Sequence, residues 1–377
     1  MKTNTIDIFC NIIDNFGDIG VSYRLAKEIA SNKYTVHLYV DDLYIFSKIE
    51  NKINIHKKFQ KLSKYLFIYK WDNSLKQNYI PSSVIIETFG CNLPLYITNK
   101  ITNKNIWINL EYLSAENWIE DCHLKISPQA NGINKYFFFP GFTKNTGGLN
   151  FNQSLTKVNK IKFVQEFSQH ITNRKLKKRN IPNLCKNYSF NLIFTYNNPQ
   201  VINIIKSKLK YNANSVFFIA EGKSSTILNK NNIKEINKTY PNAKFYIFKM
   251  INQSNFNKLI NICDFVVVRG EDSIVQAIIQ EKNFLWDIYK QKENAHLNKI
   301  KQFIYKYIPK NNSNYNEIYE SLINLNTSNI YSNFDSFMLK SEEIISHNKL
   351  WAKELKQNNS LCSNLLNFIK QINRNLK

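Results

Sequence analysis

Polar and apolar positions alternate along "TIDIFCNII", residues 5–13, in the two-residue rhythm of a strand. The rhythm then changes. "VSYRLAKEIA", residues 21–30, spaces its apolar residues at three and four, as one face of a helix requires. "TVHLYV", "SVIIETFG" and "NIWINLEYL" return to strand character. Strand alternating with helix predicts βαβ units, and hence a parallel sheet covered by helices. Over residues 137–149, "FFFPGFTKNTGGL", the rhythm breaks. Pro140, Gly141, Gly147 and Gly148, following Gly132, predict a long loop, and long loops in compact domains tend to carry function.

A helix is expected near 154–170, before the basic run "NRKLKKRN" at 173–180. A second α/β series follows. "SFNLIFTY", "SVFFIA", "AKFYIFKM" and "CDFVVVRG" read as strands, and "FNKLINIC" and "SIVQAIIQ" as helices. The boundary between the two series is expected near 173–184. The chain is then a first Rossmann-like domain over 1–172, a second over 183–345, and closing helices over 346–377 that pack back on the first. No repeat at a fixed period is visible. Two similar α/β domains predict a site at the carboxyl ends of their strands.

Composition fits this picture. The 377 residues exceed one ordinary domain of about 100–200 residues. A hydrophobic fraction of 43% is enough for two cores. No apolar run approaches the roughly 18 residues that cross a bilayer. Asp7 and Asp14 interrupt the region where a signal peptide needs an unbroken apolar segment. These features predict a cytoplasmic protein with no membrane partner. No two of the six cysteines are separated by only two residues, so neither a zinc knuckle nor a redox pair is signalled. They are expected to be reduced core thiols. The net charge of +23 comes from lysines scattered among Asn and Ile, which favours the imprint of an AT-rich genome over a nucleic-acid patch and leaves both partner and genome as sources of the charge. The run at 173–180 reads as a solvated linker. A basic surface would still attract an acidic protein.

Two strand–loop–helix junctions carry candidate chemistry. In "DIFCNIIDNFGDIGVSYRLAKEIA", residues 7–30, the loop holds Asp14 and Asp18 beside Gly17 and Gly20. No G-x-G-x-x-G is present, so the dinucleotide fingerprint is absent. A phosphate would welcome the amides of a helix N-terminus, but a carboxylate pair repels it. The loop suits a cation, a proton donor or a hydroxyl-rich ligand. An equally simple reading makes Asp18 a helix cap and Asp14 a turn residue.

The second junction is "FVVVRGEDSIVQAII", residues 265–279. Arg269 at a helix N-terminus can clamp a diphosphate through bidentate bonds. Glu271 and Asp272 can hold sugar or ribose hydroxyls, and Ser273 is placed to cap the helix. The local alternative is an Arg–Glu ion pair with an Asp or Ser cap. Phe194 and Tyr196 in "IFTY", with Phe256, can stack on a base, at about 1–3 kcal/mol per stacked ring; ordinary core is the alternative. There is no Asp-x-Asp, G-x-x-x-x-G-K-[ST], H-E-x-x-H or G-x-S-x-G motif.

"DNFGDIGVSYRLAKEIA", "WINLEYLSAENW", "YFFFPGFTKNTGGL" and "VVVRGEDSIVQA" followed by "WDIYKQKENAH" occur in this order. Together they resemble the EarP-type protein-arginine rhamnosyltransferases, which mature bacterial translation elongation factor P. The resemblance runs from residue 6 to about 300. It implies a glycosyltransferase-B fold, with two Rossmann-like domains facing across a cleft. It implies inverting, metal-independent transfer of rhamnose from TDP-β-L-rhamnose to one arginine of the acidic elongation factor P, with no cofactor and no nucleic-acid partner.

Carried over by position, Asp14 and Asp18 fall on the two acceptor-side aspartates. Phe194 and Tyr196 fall on the aromatic pair. Phe256, Arg269, Glu271, Asp272 and Ser273 fall on nucleotide-sugar contacts, and Gln253 on a neighbouring one. Met250 stands where an aromatic residue is expected. Asp287 and Lys290 stand where His and Pro are expected, and no catalytic role attaches to either.

A guanidinium, with a pKa above about 12, must lose a proton to attack a sugar carbon. Asp18 is the expected base and Asp14 the orienting partner. Arg269 and helix N-terminal amides would stabilise the leaving TDP. Three other readings remain: a glycosyltransferase-B enzyme with a lipid or glycan acceptor, a basic RNA- or ribosome-binding protein, and a nucleotide-binding regulator with a dead site, against which the retained aspartates and Arg-Gly-Glu-Asp loop speak through the resemblance.

Overall fold

The computed structural model describes residues 5–13, 16–130, 132–152, 158–327 and 333–375. The chain divides into two compact units, Met1–Ser154 with Leu355–Lys377, and Leu155–Glu354.

The first unit is built on eight strands: β1 (Thr5–Cys10), β2 (Thr35–Val40), β3 (Phe59–Lys61), β4 (Leu66–Lys70), β5 (Val84–Thr88), β6 (Ile106–Leu110), β7 (Ile126–Pro128) and β8 (Asn134–Phe138). Their order in the sheet is β3-β4-β2-β1-β5-β6-β8-β7. The six inner strands are parallel, and the three-residue strands β3 and β7 close the edges antiparallel. Short edge strands limit pairing with other chains.

β1 alternates in polarity yet is buried on both faces, because helices cover both sides of a parallel sheet. Ile6, Ile8 and Cys10 join one core, while Phe9 joins the other and stacks on Tyr39 at 4.5 Å. Asp7, the polar member of the pattern, is fully buried. It accepts from the Tyr79 hydroxyl at 2.8 Å, the Ser82 N–H at 2.9 Å and the Ser82 hydroxyl at 2.7 Å, and lies 2.9 Å from His37 Nδ1. A buried carboxylate is tolerated only with such partners.

The end of the chain completes this unit. Leu361, Cys362, Leu365, Leu366 and Ile369 of helix Leu361–Asn375 enter the core formed with the opening helix, Phe16–Ser31. The loop after β8 docks that helix. The Leu361 N–H donates to the Leu149 carbonyl at 2.8 Å, and the Asn364 amide to the Gly147 carbonyl at 3.2 Å. Gly148 has φ +78°, and a Cβ there would meet the Asn359 carbonyl at 2.8 Å. The other side of the loop is tied to the opening helix, where Asn150 Nδ2 donates to the Val21 carbonyl at 2.9 Å. Part of the run expected to be loop is strand, since β8 continues to Phe138.

The second unit holds β9 (Ser189–Ile193), β10 (Ser215–Ala220), β11 (Lys244–Phe248), β12 (Phe265–Arg269) and β13 (Asn283–Asp287), all parallel, in the order β11-β10-β9-β12-β13. The Val-rich β12 is the continuous apolar run that a strand buried on both faces requires. Helix Lys160–Phe167 belongs to this unit, which therefore begins before the basic run. That run is largely exposed, as a solvated linker would be, but its start is anchored. Just before it the Thr172 N–H donates to the Ile247 carbonyl at 2.8 Å; within it Asn173 bonds to Phe245 and Ile247, and the Arg174 guanidinium lies over the Tyr246 ring. Residues 171–173 thus cover the edge of β11.

No helix among the described residues is long and apolar enough to cross a membrane. All six cysteines are free; Cys10, Cys91, Cys263 and Cys362 are buried.

Candidate functional site

Each sheet has a point where the strand order turns back. In the first unit β1 lies between β2 and β5; in the second β9 lies between β10 and β12. At such a point the connections leave to opposite sides, and the carboxyl ends of the two central strands open a crevice. Apart from Asp14, the residues singled out from the sequence fall at these two places.

In the first unit, β1 runs into the opening helix. Asp18 lies in its first turn and is 1% exposed. Its Oδ2 accepts the Ile13 N–H at 2.8 Å, so it ties the first turn of the helix back to the loop after β1. Its Oδ1 accepts the Tyr112 hydroxyl at 3.2 Å. Asp14, the other expected aspartate, lies outside the described residues.

Tyr112 follows β6, is 41% exposed, and stacks on Phe89 at 4.2 Å with the rings 13° apart. Phe89 and Gly90, just after β5, both have positive φ, +60° and +58°. For a phenylalanine that is an uncommon conformation of the kind found at functional sites. The turn is held by Phe89 N–H donating to the Leu110 carbonyl at 2.7 Å and Gly90 N–H to Asn109 Oδ1 at 3.0 Å. Cys10, at the end of β1, has its thiol pushed up to about 12, chiefly by burial and further by the charge of Asp18. It is a packing residue and no nucleophile.

In the second unit the carboxyl ends of β9 and β12 meet. The Arg269 guanidinium carbon lies 4.5 Å from the Phe194 ring centre and 4.9 Å from that of Tyr196. Arg269 Nη1 also donates to the Thr195 carbonyl at 3.0 Å. Ring faces packed against a guanidinium hold its plane, and a guanidinium so oriented suits an anion. Phe256, on helix Gln253–Ile262, meets Phe194 edge-on at 4.9 Å. Gln253 opens that helix, and its Nε2 donates to Asp272 Oδ2 at 3.3 Å.

Gly270, with φ +67°, caps helix Glu271–Ile279, and a Cβ there would meet nothing within 4 Å. The helix thus starts beside open space, and first-turn amides lack intrahelical acceptors. Ser273 does not cap the helix. Its hydroxyl donates back to the Arg269 and Gly270 carbonyls, and so locks the turn that carries the arginine. Glu271 and Asp272 occupy the first helical turn.

The structure therefore brings Phe194, Tyr196, Gln253, Phe256, Arg269, Glu271, Asp272 and Ser273 to one sheet end. It also adds residues to which the sequence reading gave no role. Tyr289 meets Tyr196 edge-on at 5.5 Å, and Lys223 Nζ lies 5.4 Å from the Tyr196 ring centre. Asp287 accepts from the loop that carries Tyr196. Tyr112 bonds Asp18 across 94 residues of sequence. Aromatic residues are abundant in this chain, so nothing local distinguished Tyr112 or Tyr289. Met250 is 44% exposed.

Known proteins resemble the whole chain. The family model described as elongation-factor P (EF-P) rhamnosyltransferase EarP matches residues 6–370. A protein-arginine rhamnosyltransferase of Shewanella oneidensis is 30% identical, with 97% of each chain covered. A solved structure described as the structural basis for EarP-mediated arginine glycosylation of translation elongation factor EF-P superposes with a TM-score of 0.60 at 19% identity, covering 97% of this chain and 99% of that one. Phytolacca americana UGT2 superposes with a TM-score of 0.51 at 11% identity, over 97% and 99% of the two chains. The last two likenesses establish the glycosyltransferase-B fold.

Proposed function

Because the chain belongs to the EarP family of elongation-factor P rhamnosyltransferases, and is therefore a glycosyltransferase, we propose that it transfers rhamnose from TDP-β-L-rhamnose to an arginine of elongation factor P. The observation that carries this reading is the family match across residues 6–370, which includes both switch points.

In this reading the second unit holds the donor. Phe194 and Phe256 pack against the thymine. Arg269, fixed between Phe194 and Tyr196, binds the diphosphate in a fork. The amides at the start of helix Glu271–Ile279 add a second positive field. As the bond from the anomeric carbon to the TDP oxygen breaks, negative charge grows on the diphosphate. Arg269 and these amides stabilise it without a metal ion. Glu271, Asp272 and Gln253 lie beside them and suit sugar or ribose hydroxyls.

The first unit holds the acceptor. The acceptor guanidinium is cationic, and Asp18 is an anion already fixed by the Ile13 N–H and the Tyr112 hydroxyl. Asp14 would complete the fork. One guanidinium nitrogen attacks the anomeric carbon from the face opposite TDP, so the configuration inverts. Asp18 takes the proton from that nitrogen as the carbon–nitrogen bond forms.

The test is the intact mass of elongation factor P after incubation with the purified protein and TDP-β-L-rhamnose in a chelator. The expected result is a gain of one deoxyhexose on an arginine. No gain with TDP still bound would point to another acceptor or sugar, including a lipid or glycan. No gain without TDP binding, together with salt-sensitive RNA binding, would favour the RNA-binding reading.

A further inference from the structure

Asp287 ends β13, directly across the parallel ladder from Arg269 at the end of β12. Paired positions on adjacent strands point to the same face, so the carboxylate and the guanidinium are neighbours. Asp287 is 1% exposed. Its Oδ2 accepts the Tyr196 N–H at 2.7 Å, and its Oδ1 accepts the Asn198 side-chain amide at 2.8 Å. Asn198 is itself tied down, donating to the Leu325 carbonyl at 2.8 Å and accepting the Gln200 N–H at 3.0 Å. One buried carboxylate thus joins the end of β13, the loop after β9 and the helix Tyr315–Asn326.

On charge alone this residue is in the wrong place. A carboxylate beside a diphosphate site repels the ligand and takes up part of the arginine's field. Burial also disfavours its ionised form and pushes its carboxyl up, while Lys290 and Arg269 pull it down. Such a group must serve through its hydrogen bonds. The bond to the Tyr196 N–H fixes the backbone from which the Tyr196 ring projects, and that ring is one of the two that frame Arg269.

We propose that Asp287 is a positioning residue of the nucleotide site: it holds Tyr196 against Arg269, so that the ring and the guanidinium stand ready for the donor. This rests on the donor-site reading given above. It separates two effects of opposite sign. Removing the negative charge would by itself strengthen diphosphate binding, whereas releasing the Tyr196 loop would weaken it.

The experiment is a double-mutant cycle on TDP affinity, measured by titration calorimetry on the full chain for the wild type, Asp287→Asn, Tyr196→Ala and the double variant. Asparagine keeps the shape, but its amide NH₂ faces a donor, so at least one of the two bonds is lost. The expected result is TDP binding about tenfold weaker in Asp287→Asn, with the double variant within about twofold of Tyr196→Ala, because coupled residues are not additive. A residue that supports the fold alone would give losses that multiply, and that outcome overturns the proposal. So does TDP binding equal to or tighter than wild type in Asp287→Asn. If Asp287→Asn does not fold, Asn198→Ser, which removes the other partner of the carboxylate, goes through the same cycle with the same criterion. A wild-type protein that does not bind TDP overturns the donor-site reading, and this proposal with it.

Discussion

In the first unit the central strand β1 runs into a helix whose first turn holds a buried aspartate. In the second unit β12 runs into a helix led by an arginine and a left-handed glycine. Both junctions lie at the turning point of a parallel sheet, and both place a helix N-terminus at the carboxyl end of a strand. The backbone therefore offers the same positive field at each. In the proposed reading the side chains give each junction its ligand. Asp18 cancels that field and makes the first site attractive to a cation. Arg269 adds to it and makes the second attractive to an anion. One strand–loop–helix geometry thus serves opposite charges, and the residue types at a few positions decide which.

The strongest way to break this comparison is to neutralise each junction in turn. Asp18→Asn keeps the size and one acceptor for the Ile13 N–H but removes the base. Turnover is expected to fall about 10²–10⁴-fold, with TDP affinity unchanged by calorimetry. Near-normal turnover would end the assignment of Asp18 as base. Arg269→Ala should do the converse. TDP binding is expected to weaken strongly and turnover to fall about 10²–10³-fold, with the Asp18 site intact. Arg269→Lys should recover only part of this, because an ammonium cannot form the fork or stack between two rings. Full recovery would mean that charge alone suffices there.

The two units also differ in how they are completed. The first borrows its closing helix from the end of the chain, docked on the loop that carries Gly147 and Gly148. Gly148→Ala is therefore expected to destabilise it. The methyl group meets the Asn359 carbonyl, and φ +78° is costly for alanine. A loss of about 1–3 kcal/mol, typical of overpacking, is expected in a denaturant titration. Hydrogen exchange should rise in the first unit and stay unchanged at β9–β13. Equal loss of protection in both units would mean that they unfold as one.

Much of this was legible in the chain, and the parts that were not share a cause. The parallel strands were readable because burial on both faces demands runs such as "FVVV". Asp18 and Arg269 were readable because a charged residue at a strand–helix junction is chemically conspicuous. The edge strands β3 and β7 were missed, since three residues give no period. The role of the loop after β8 was missed because its partner lies some 200 residues on, in helix Leu361–Asn375. Ser273 looked like a cap from its spacing, yet the turn at Gly270 sends its hydroxyl to carbonyls instead. Asp287 looked like a bare departure from an expected histidine, and only the fold sets it beside the Tyr196 N–H. Local pattern reports the residue; long-range partners decide what it does.

The smallest expected effect sharpens the comparison most, because it isolates one hydrogen bond at the acceptor junction. The Tyr112 hydroxyl donates to Asp18 Oδ1 at 3.2 Å, while the ring stays stacked on Phe89. Tyr112→Phe removes the donor and keeps the stack. A hydrogen bond to a charged group contributes about 1.5–3 kcal/mol, and less where, as here, it is long and the residue is partly exposed to water. The carboxylate, relieved of that bond, should be less firmly fixed. Acceptor KM is therefore expected to rise about three- to tenfold, while TDP affinity and the thermal midpoint change little. A change in TDP affinity would show that the two junctions are not independent. An unchanged acceptor KM would show that Tyr112 contributes to the stack alone, and that Asp18 is held in place by the Ile13 N–H and its other neighbours.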